Sequence, residues 1–456
     1  MPAEFSKPAD FAGANVLVCG TGMAGRTATQ ALLELGARVQ VCADGAQQPE
    51  LPDGARYLGA LTELPPDVQV VISSPGLSPN HPLLRQAAAE TIPVFGELEF
   101  AWRIRGDRPA RWLLVTGTNG KTTAVRMLEA MLRAGGLRAL AVGNVGVSII
   151  EAVRSQPGYD VLAVEASSFQ LHFSSSLMPL AGALLNLAED HLDWHGSMAS
   201  YAEQKTKVWT GDCAIGNADD PMVSELLATA PARRKVTFTL TEPTAGQFGV
   251  RAGQLVDPAG AAILAVSEVR PAGAHNVANA LAAAALASAA GLGGEAIALG
   301  LRDFVPDPHR NQLVATVDGV GYVDDSKATN PHAAAASLAG YPSVVWIAGG
   351  QLKGANVEPL VAEYAGRLAG AVLLGTDREE IRLALARHAP DLPVIVLSRT
   401  DHGAMQDAVA AAASLAHAGD VVLLAPAAAS KDMFASYGAR GTAFVAAVGE
   451  LPGARG

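Results

Sequence analysis

The chain has 456 residues, half of them apolar and 17% charged, so it is too long for one hydrophobic core and two or three α/β domains are expected. Its net charge of −11 argues against a nucleic-acid surface, because counterion release requires a basic stripe. Three cysteines without CxxC spacing give neither a disulfide framework nor a zinc site. No export signal opens the chain and no stretch is apolar enough to cross a bilayer, so we expect a cytoplasmic protein without membrane insertion.

The first segment carries a dinucleotide-type fingerprint. A short apolar strand over residues 14–20 leads into Gly20-Thr21-Gly22-Met23-Ala24-Gly25, followed by a helix and a second strand that ends at Cys42. Asp44 stands about twenty residues on, where a ribose-binding acid would be. Because such a turn binds any phosphate at a helix N-terminus, it favours a nucleotide-like ligand over NAD in particular. The loop Ser73–Gly76, after the next strand, is predicted to form a second wall of the same crevice.

A phosphate cradle opens the middle segment, after a polar linker over residues 103–111. The apolar strand 112–115 runs into Gly117-Thr118-Asn119-Gly120-Lys121-Thr122-Thr123 and then into an amphipathic helix. Backbone N–H groups and the positive helix end would face the anion, with Lys121 on the outer phosphates and Thr122 on Mg²⁺. A plain surface turn does not explain why a buried strand ends on Gly-Lys-Thr-Thr.

Two further strands of this segment end on polar residues. Strand 160–165 closes on Glu165, where a Walker-B-type metal ligand belongs, although a capping acid is the simpler alternative. A strand predicted over 184–188 leads into acids and two histidines, among them His191, as metal or substrate contacts. Lys205, on the next predicted helix, would be an ordinary surface lysine in most proteins.

The end of the middle segment is less informative. Residues 213–270 are strand-like and turn-rich, with no chemistry that we can assign. Asn276 and Asn279 open a long alanine-rich helix on one face, where they could contact a base edge. Helix capping is the alternative for one of them.

The third segment alternates strands with helical patterns, and its polar residues follow the strands. His309-Arg310 precede it, and Asp324–Pro331, Gly349–Gly354 and Pro426–Phe434 each follow a strand. We therefore predict an α/β protein of three domains. These are a Rossmann-like domain at 1–108, a central P-loop ATPase-type parallel-sheet domain at 109–307, and a Rossmann-like C-terminal domain at 308–456.

Three anion-binding crevices fit ATP-driven joining better than a hydrolytic switch. A carboxylate would attack the γ-phosphoryl group, and an amine would capture the acyl phosphate, with metal and lysine neutralising the spreading charge. A nicotinamide oxidoreductase built on Gly20–Gly25 is an alternative, but it leaves the Lys121 loop unexplained. A P-loop regulatory NTPase is a second alternative and predicts turnover that no amino acid stimulates.

Several motifs together resemble the Mur ligase family over nearly the whole chain. They are the Gly117–Thr123 loop, Glu165-Ala166-Ser167-Ser168-Phe169-Gln170, Asn186 with Asp190-His191-Leu192-Asp193, His275-Asn276, and Asp325-Ser326-Lys327-Ala328-Thr329-Asn330. The last motif and His309-Arg310 resemble the members that add D-glutamate to UDP-N-acetylmuramoyl-L-alanine during peptidoglycan precursor synthesis. Folylpolyglutamate synthase, which also adds glutamate, differs at that strand end.

The resemblance also implies roles for individual residues. Lys121, His191, Lys205, Arg310 and Lys327 would be catalytic, and ATP would contact Gly117, Thr118, Asn119, Gly120, Lys121, Thr122, Thr123, Asn276, Asn279, Arg310 and Asp325. Thr122 and Glu165 would bind one Mg²⁺ ion, and His191 and a carbamylated Lys205 would bind a second. Mn²⁺ could substitute for Mg²⁺. The UDP-linked substrate would contact Met23, Ala24, Asp44, Gly76, Asn144, Ser167 and Gln170, and D-glutamate would contact Thr329, Lys353, Ser430, Lys431 and Tyr437. The chain departs from the family pattern at Ala43, where an acid is common, and at Lys431, where an apolar residue is usual. A monomer is expected.

Overall fold

The computed structural model describes residues 5–44, 50–399 and 403–453. It contains two compact units, divided near Phe304: the segments Ala188–Asp190 and Arg270–Asn276 group with the second unit, and the rest of the chain before Val305 forms the first. Among the described residues, none of the helices has the length and apolarity required to span a bilayer.

The described residues up to Ile104 contain a five-stranded parallel sheet, in the strand order β3-β2-β1-β4-β5. Strand β1 reads Val-Leu-Val-Cys over its buried part, the continuous apolar run that a parallel sheet covered on both faces requires. The elements are β1 Asn15–Cys19, α1 Met23–Glu34, β2 Arg38–Cys42, β3 Arg56–Tyr57, β4 Val70–Ser73, α2 Pro82–Ala89, β5 Val94–Phe95 and α3 Glu97–Ile104, preceded by a 3₁₀ turn at Pro8–Phe11.

The next part of the first unit holds a six-stranded parallel sheet, with β6 near its centre in the order β11-β10-β9-β6-β8-β7. A separate antiparallel sheet, β12-β13-β14, lies in the later part of residues 213–270, the stretch for which we assigned no chemistry. The elements are β6 Arg111–Thr116, α4 Lys121–Ala134, β7 Ala139–Gly143, α5 Ile149–Arg154, β8 Val161–Glu165, α6 Ser168–His172, β9 Ala181–Leu184, α7 Leu192–His195, α8 Met198–Thr206, β10 Cys213–Asn217, α9 Pro221–Ala228, β11 Arg234–Phe238, β12 Gly249–Arg251, β13 Gln254–Val256, β14 Ala262–Ala265, α10 Ala274–Ala289 and α11 Gly294–Asp303, with 3₁₀ turns at Lys207–Trp209 and Val266–Glu268.

The second unit is built on a six-stranded sheet in the order β15-β16-β20-β17-β18-β19. Only its edge pair, β15 with β16, is antiparallel. The elements are β15 Gln312–Val317, β16 Val320–Asp324, α12 Pro331–Leu338, β17 Val344–Gly349, α13 Glu358–Tyr364, β18 Leu368–Leu374, α14 Arg378–His388, β19 Val394–Val396, α15 Ala404–Leu415, β20 Val421–Leu424 and α16 Tyr437–Gly449, with a 3₁₀ turn at Ala365–Arg367.

The predicted α/β class with parallel-sheet domains is confirmed, while the predicted domain boundaries stay predictions. One strand was placed wrongly: β9 covers Ala181–Leu184 rather than 184–188. The chain leaves the sheet there because Asn186 turns towards the phosphate loop, where its carbonyl oxygen accepts from the Thr118 N–H at 3.0 Å. The backbone of Asn186 therefore hydrogen-bonds to the phosphate loop and not to a neighbouring strand.

Candidate active site

The loop between β6 and α4 depends on two glycines. Gly117 has φ +159 and Gly120, the residue that caps α4, has φ +83. A Cβ on Gly120 would lie 2.2 Å from Asn279 Oδ1, so both the backbone conformation and the space require glycine. Lys121, Thr122 and Thr123 then form the first turn of α4, where N–H groups without helical partners and the helix dipole attract an anion.

Asn186 clamps this loop from the end of the neighbouring strand. Its Oδ1 accepts from the Asn119 N–H at 2.9 Å, and its Nδ2 donates to the Asn119 carbonyl at 3.1 Å. The Thr118 hydroxyl shares a 3.1 Å hydrogen bond with the Tyr201 hydroxyl on α8. Hydrogen bonds from Asn186, after β9, and from Tyr201, on α8, therefore fix the conformation of the phosphate loop.

Both predicted lysines of this unit lie at the loop. Lys121 Nζ donates to the carbonyl oxygens of Gly117 and Thr118, at 2.8 Å each. Lys205, only 1% exposed, donates to the Gly117 carbonyl at 2.8 Å and lies 4.6 Å from the Tyr201 ring centre. Lys205 is thus a buried residue of the cradle and not an ordinary surface lysine.

Glu165 ends β8 beside the cradle and is 2% exposed. Its Oε1 accepts from Asn144 Nδ2 at 2.8 Å. Its Oε2 is buried and has no hydrogen-bond partner among the described residues. A buried carboxylate oxygen left without a donor is costly, and a hard cation is the partner that this oxygen type satisfies best. This observation favours the metal-ligand role over the capping alternative.

His191 belongs to an aromatic cluster next to these groups. It has φ +53 and precedes α7, and its ring centre lies 4.8 Å from that of Phe169. The His195 ring stacks on Phe169 with ring centres 5.6 Å apart, is tilted against Tyr201 at 5.2 Å, and lies with Nε2 2.9 Å from the Ser168 hydroxyl. The side chain of Asp193 lies outside the described residues.

The two asparagines of α10 are both buried, at 3% and 4% exposure for Asn276 and Asn279. Asn276 Nδ2 donates to the Ala272 carbonyl at 3.2 Å and lies 2.9 Å from His275 Nε2. Burial lowers the pKa of His275, with a smaller contribution from His332, which favours the neutral ring that can accept from this amide. Asn279 lies against Gly120, so it lies at the cradle, and its contact with a base edge stays a prediction.

The loops predicted to bind the UDP part meet at one edge of the first sheet. Strands β1, β2 and β4 are parallel neighbours, so the turns that follow them lie side by side. Met23 is 58% exposed, and Asp44 and Gly76 are exposed as well. Gly25 permits the tight turn, because a Cβ there would lie 1.9 Å from the Gly20 carbonyl oxygen.

In the second unit, Asp325 and its neighbours follow β16. Asp325 accepts from the Ser337 hydroxyl, and burial raises the pKa of its carboxyl to about 6. Arg310 is 15% exposed and lies 4.0 Å from Asp307. Lys327 Nζ lies 4.2 Å from the ring centre of Tyr437, so these two predicted residues are brought together.

The other residues predicted to hold D-glutamate follow three strands of the second unit. Ser430 is buried at 4% exposure after β20, while Lys431 and Lys353 are exposed. Thr329 is partly buried and precedes Asn330, whose Oδ1 caps α12 by accepting from the Ala333 N–H at 2.8 Å. The arrangement offers cations and hydroxyls at one sheet edge, as a dicarboxylate requires.

Comparison with known proteins identifies the family. A model of the Mur ligase middle domain matches residues 115–287, and a model of the Mur ligase glutamate ligase domain matches residues 309–428. A UDP-N-acetylmuramoylalanine--D-glutamate ligase from Thermobifida fusca (strain YX) is 53% identical, with 97% of this chain and 100% of the relative covered. A ligase of the same name from Streptomyces coelicolor is 50% identical, with 97% and 99% covered. The chain belongs to the Mur ligase family.

Solved Mur ligases share the fold at low identity. The UDP-N-acetylmuramate-alanine ligase MurC from Thermotoga maritima gives a TM-score of 0.58 at 17% identity, with 95% of this chain and 98% of that chain covered. MurF ligase from the same organism, solved with ADP, gives a TM-score of 0.59 at 16% identity, with 98% of each chain covered. These structures show the shared fold, and the family resemblance drawn from the motifs is confirmed by the family models and the sequence relatives.

Sequence reasoning missed one buried cation of this Mur ligase. Arg440, on α16, is 1% exposed and donates to Ser326 Oγ at 3.0 Å, to Ser326 O at 2.9 Å and to Ala428 O at 3.1 Å. Burial lowers the pKa of Arg440 to about 10. It ties the loop that carries Lys327 to the loop that carries Ser430. No local pattern marks it, because its partners are remote in sequence.

Proposed function

We propose that the chain joins D-glutamate to UDP-N-acetylmuramoyl-L-alanine at the cost of ATP, in peptidoglycan precursor synthesis. The observation that carries this proposal is the 53% identity to a D-glutamate ligase over 97% of the chain. The regions that the two family models match contain the phosphate loop, the Glu165 turn and the Asp325–Asn330 motif. The activity predicted from the motifs is the one that the relatives' names state.

The reaction is an acyl transfer in two steps. The substrate carboxylate takes the γ-phosphoryl group of ATP to form an acyl phosphate, and the amine of D-glutamate then displaces phosphate, so that ADP and phosphate leave. Lys121 and the first turn of α4 neutralise the charge that spreads over the transferring group. Arg310 and Lys327 are proposed for the same role. Asn276, Asn279 and Asp325 hold the nucleoside part of ATP.

The metal-binding part of the proposal involves four residues. Thr122 and Glu165 would hold one Mg²⁺, and His191 with a carbamylated Lys205 would hold a second. The fit rests on Glu165, whose buried Oε2 has no hydrogen-bond partner among the described residues, and on the hard-oxygen preference of Mg²⁺. Bound there, Mg²⁺ would neutralise phosphate oxygens. An unmodified lysine ammonium is no metal ligand, so the second site depends on the modification.

The remaining proposals concern the substrates and the setting. Met23, Ala24, Asp44 and Gly76 bind the UDP part, Asn144, Ser167 and Gln170 face the sugar, and Thr329, Lys353, Ser430, Lys431 and Tyr437 bind D-glutamate. We propose a monomer acting in the cytoplasm, the compartment that supplies ATP and in which the three unbridged cysteines fit.

A substrate-omission assay tests the function. Phosphate release should require ATP, UDP-N-acetylmuramoyl-L-alanine and D-glutamate together. Equal release with L-glutamate, or with either acceptor substrate omitted, would contradict the ligase and favour a regulatory NTPase. Release that a pterin acceptor supports would favour a folylpolyglutamate synthase-like activity. Size-exclusion chromatography with light scattering tests the monomer.

A further inference from the structure

A continuous chain of polar side chains crosses the first unit from the loop after β1 to the turn after β8. The Thr27 hydroxyl lies 3.0 and 3.2 Å from the carbonyl oxygens of Met23 and Ala24 and 3.0 Å from the Ser148 hydroxyl, and its one proton goes either to these carbonyls or to Ser148. Ser148 Oγ donates to Glu97 Oε1 at 2.9 Å. The chain therefore connects the backbone of two predicted UDP-binding residues to a buried carboxyl group.

The same carboxyl group continues the chain into the predicted sugar subsite. Gln170 Nε2 donates to Glu97 Oε2 at 3.3 Å. The Gln170 Oε1 atom accepts from the Ser167 N–H at 3.0 Å and from the Ser167 hydroxyl at 3.1 Å. Both the oxygen and the nitrogen of the Gln170 amide thus form hydrogen bonds within the protein. The bond to Glu97 fixes which way the amide is turned.

Glu97 is suited to this central position. It is 7% exposed and is the first residue of α3, where the positive end of the helix stabilises a carboxylate. Burial is the main influence on its pKa and raises it, while the bonds from Ser148 and Gln170 act in the opposite direction. Burying a carboxylate costs free energy even when both of its oxygens accept hydrogen bonds, and an apolar residue would pack there without that cost.

We propose that Glu97 is a positioning residue for the UDP-linked substrate, a role that rests on the proposed function. Its carboxylate accepts one hydrogen bond from Ser148 and one from Gln170, and in this way it sets the distance between the UDP loop and the sugar-facing turn. A carboxylate presents a separate acceptor oxygen to each of these donors. An amide in its place has one oxygen, so either Ser148 or Gln170 loses its acceptor whichever way the amide is turned.

Steady-state kinetics of Glu97→Gln test the proposal. We expect the KM for UDP-N-acetylmuramoyl-L-alanine to rise about tenfold. The kcat and the KM values for ATP and D-glutamate should stay within about twofold, because uniform substrate binding is lost and transition-state contacts are kept. Glu151→Gln is the matched control, since Glu151 is an exposed acid whose charge influences Glu97, and its KM should match the wild type.

A second variant keeps the test independent of how Glu97→Gln folds. Ser148→Ala removes one donor to the same carboxylate, so its KM for the UDP-linked substrate should rise too, and the double variant should show less than the product of the two single effects. An unchanged KM in both single variants overturns the proposal, as does an equal rise in the KM for ATP accompanied by a fall in Tm. Inactive wild-type protein in the omission assay would instead count against the proposed function.

Discussion

The ammonium groups of Lys121 and Lys205 donate to the same acceptor, the carbonyl oxygen of Gly117, over 2.8 Å each. Two like charges on one carbonyl repel each other. A bound polyphosphate would relieve the repulsion by pairing with Lys121, and the proposed carbamylation would relieve it by making Lys205 anionic. The shared carbonyl thus brings together the lysine that is proposed to bind ATP and the lysine that is proposed to bind a metal ion.

Lys121→Ala should lower kcat by about a thousandfold, because the transferring phosphoryl group loses its nearest point charge. Phosphate release with all three substrates measures the effect. Lys235→Ala is the control, since Lys235 is an exposed lysine that donates only to a helix-end carbonyl in the part of the chain described. Turnover near the wild-type rate in Lys121→Ala would refute the assigned role.

Lys205→Ala should also be inactive, and short-chain carboxylic acids should restore part of the activity by supplying the missing oxygen ligands. Mass spectrometry of active wild-type protein under conditions that preserve carbamates should give about 44 Da more than the sequence mass, located on Lys205. A free amine at Lys205 in fully active protein rules out the carbamate. It would leave the phosphate-loop assignment intact, since that assignment depends on Lys121.

The features that the sequence predicts well are local ones. The cradle at Gly117–Thr123 follows from an apolar strand, two glycines and a helix start within a dozen residues. In parallel sheets the ends of neighbouring strands share an edge, so Glu165 and the cradle could be placed together from chain order. Lys205 was harder to place, because burial of one helical lysine depends on the neighbouring loop and not on its own helix.

Long-range partners set the limit of sequence reasoning here. Arg440 contacts residues 114 and 12 positions away, and no spacing rule connects them. Glu97 lies in an ordinary amphipathic helix, yet its partners Ser148 and Gln170 are 51 and 73 positions away. The bounds of β9 were wrong for the same reason, since tertiary contacts of Asn186 ended the strand.

Asp325 makes stability depend on pH. Burial raises the pKa of its carboxyl from 3.8 to about 6. Between these two pH values the folded chain keeps a proton that the unfolded chain has lost. The free energy of unfolding therefore falls as pH rises through this range. The loss is at most about 3 kcal/mol, and less because the residue is partly exposed. Asp325→Asn has no such ionisation, so its Tm relative to wild type should increase between about pH 4 and pH 7. A Tm difference that is constant with pH contradicts the assigned pKa.

Gly441 makes room for the hydrogen-bonded pair of His309 and the buried Asp324, in which Nδ1 lies 2.6 Å from Oδ2. A Cβ at Gly441 would lie 2.3 Å from His309 Nδ1 and 2.9 Å from Asp324 Oδ2. Gly441→Ala should therefore lower the free energy of unfolding by about 1–3 kcal/mol through overpacking.

Gly438→Ala is the matched control on the same helix, because the nearest atom to its Cβ would be Ser436 Oγ at 3.5 Å, an ordinary contact. It should be neutral or should raise stability by about 0.5–1 kcal/mol, since alanine has the higher helix propensity. Thermal unfolding of both variants separates the two causes. If the two alanines shift Tm equally, helix propensity accounts for the result and the packing of the His309–Asp324 pair against α16 does not limit stability.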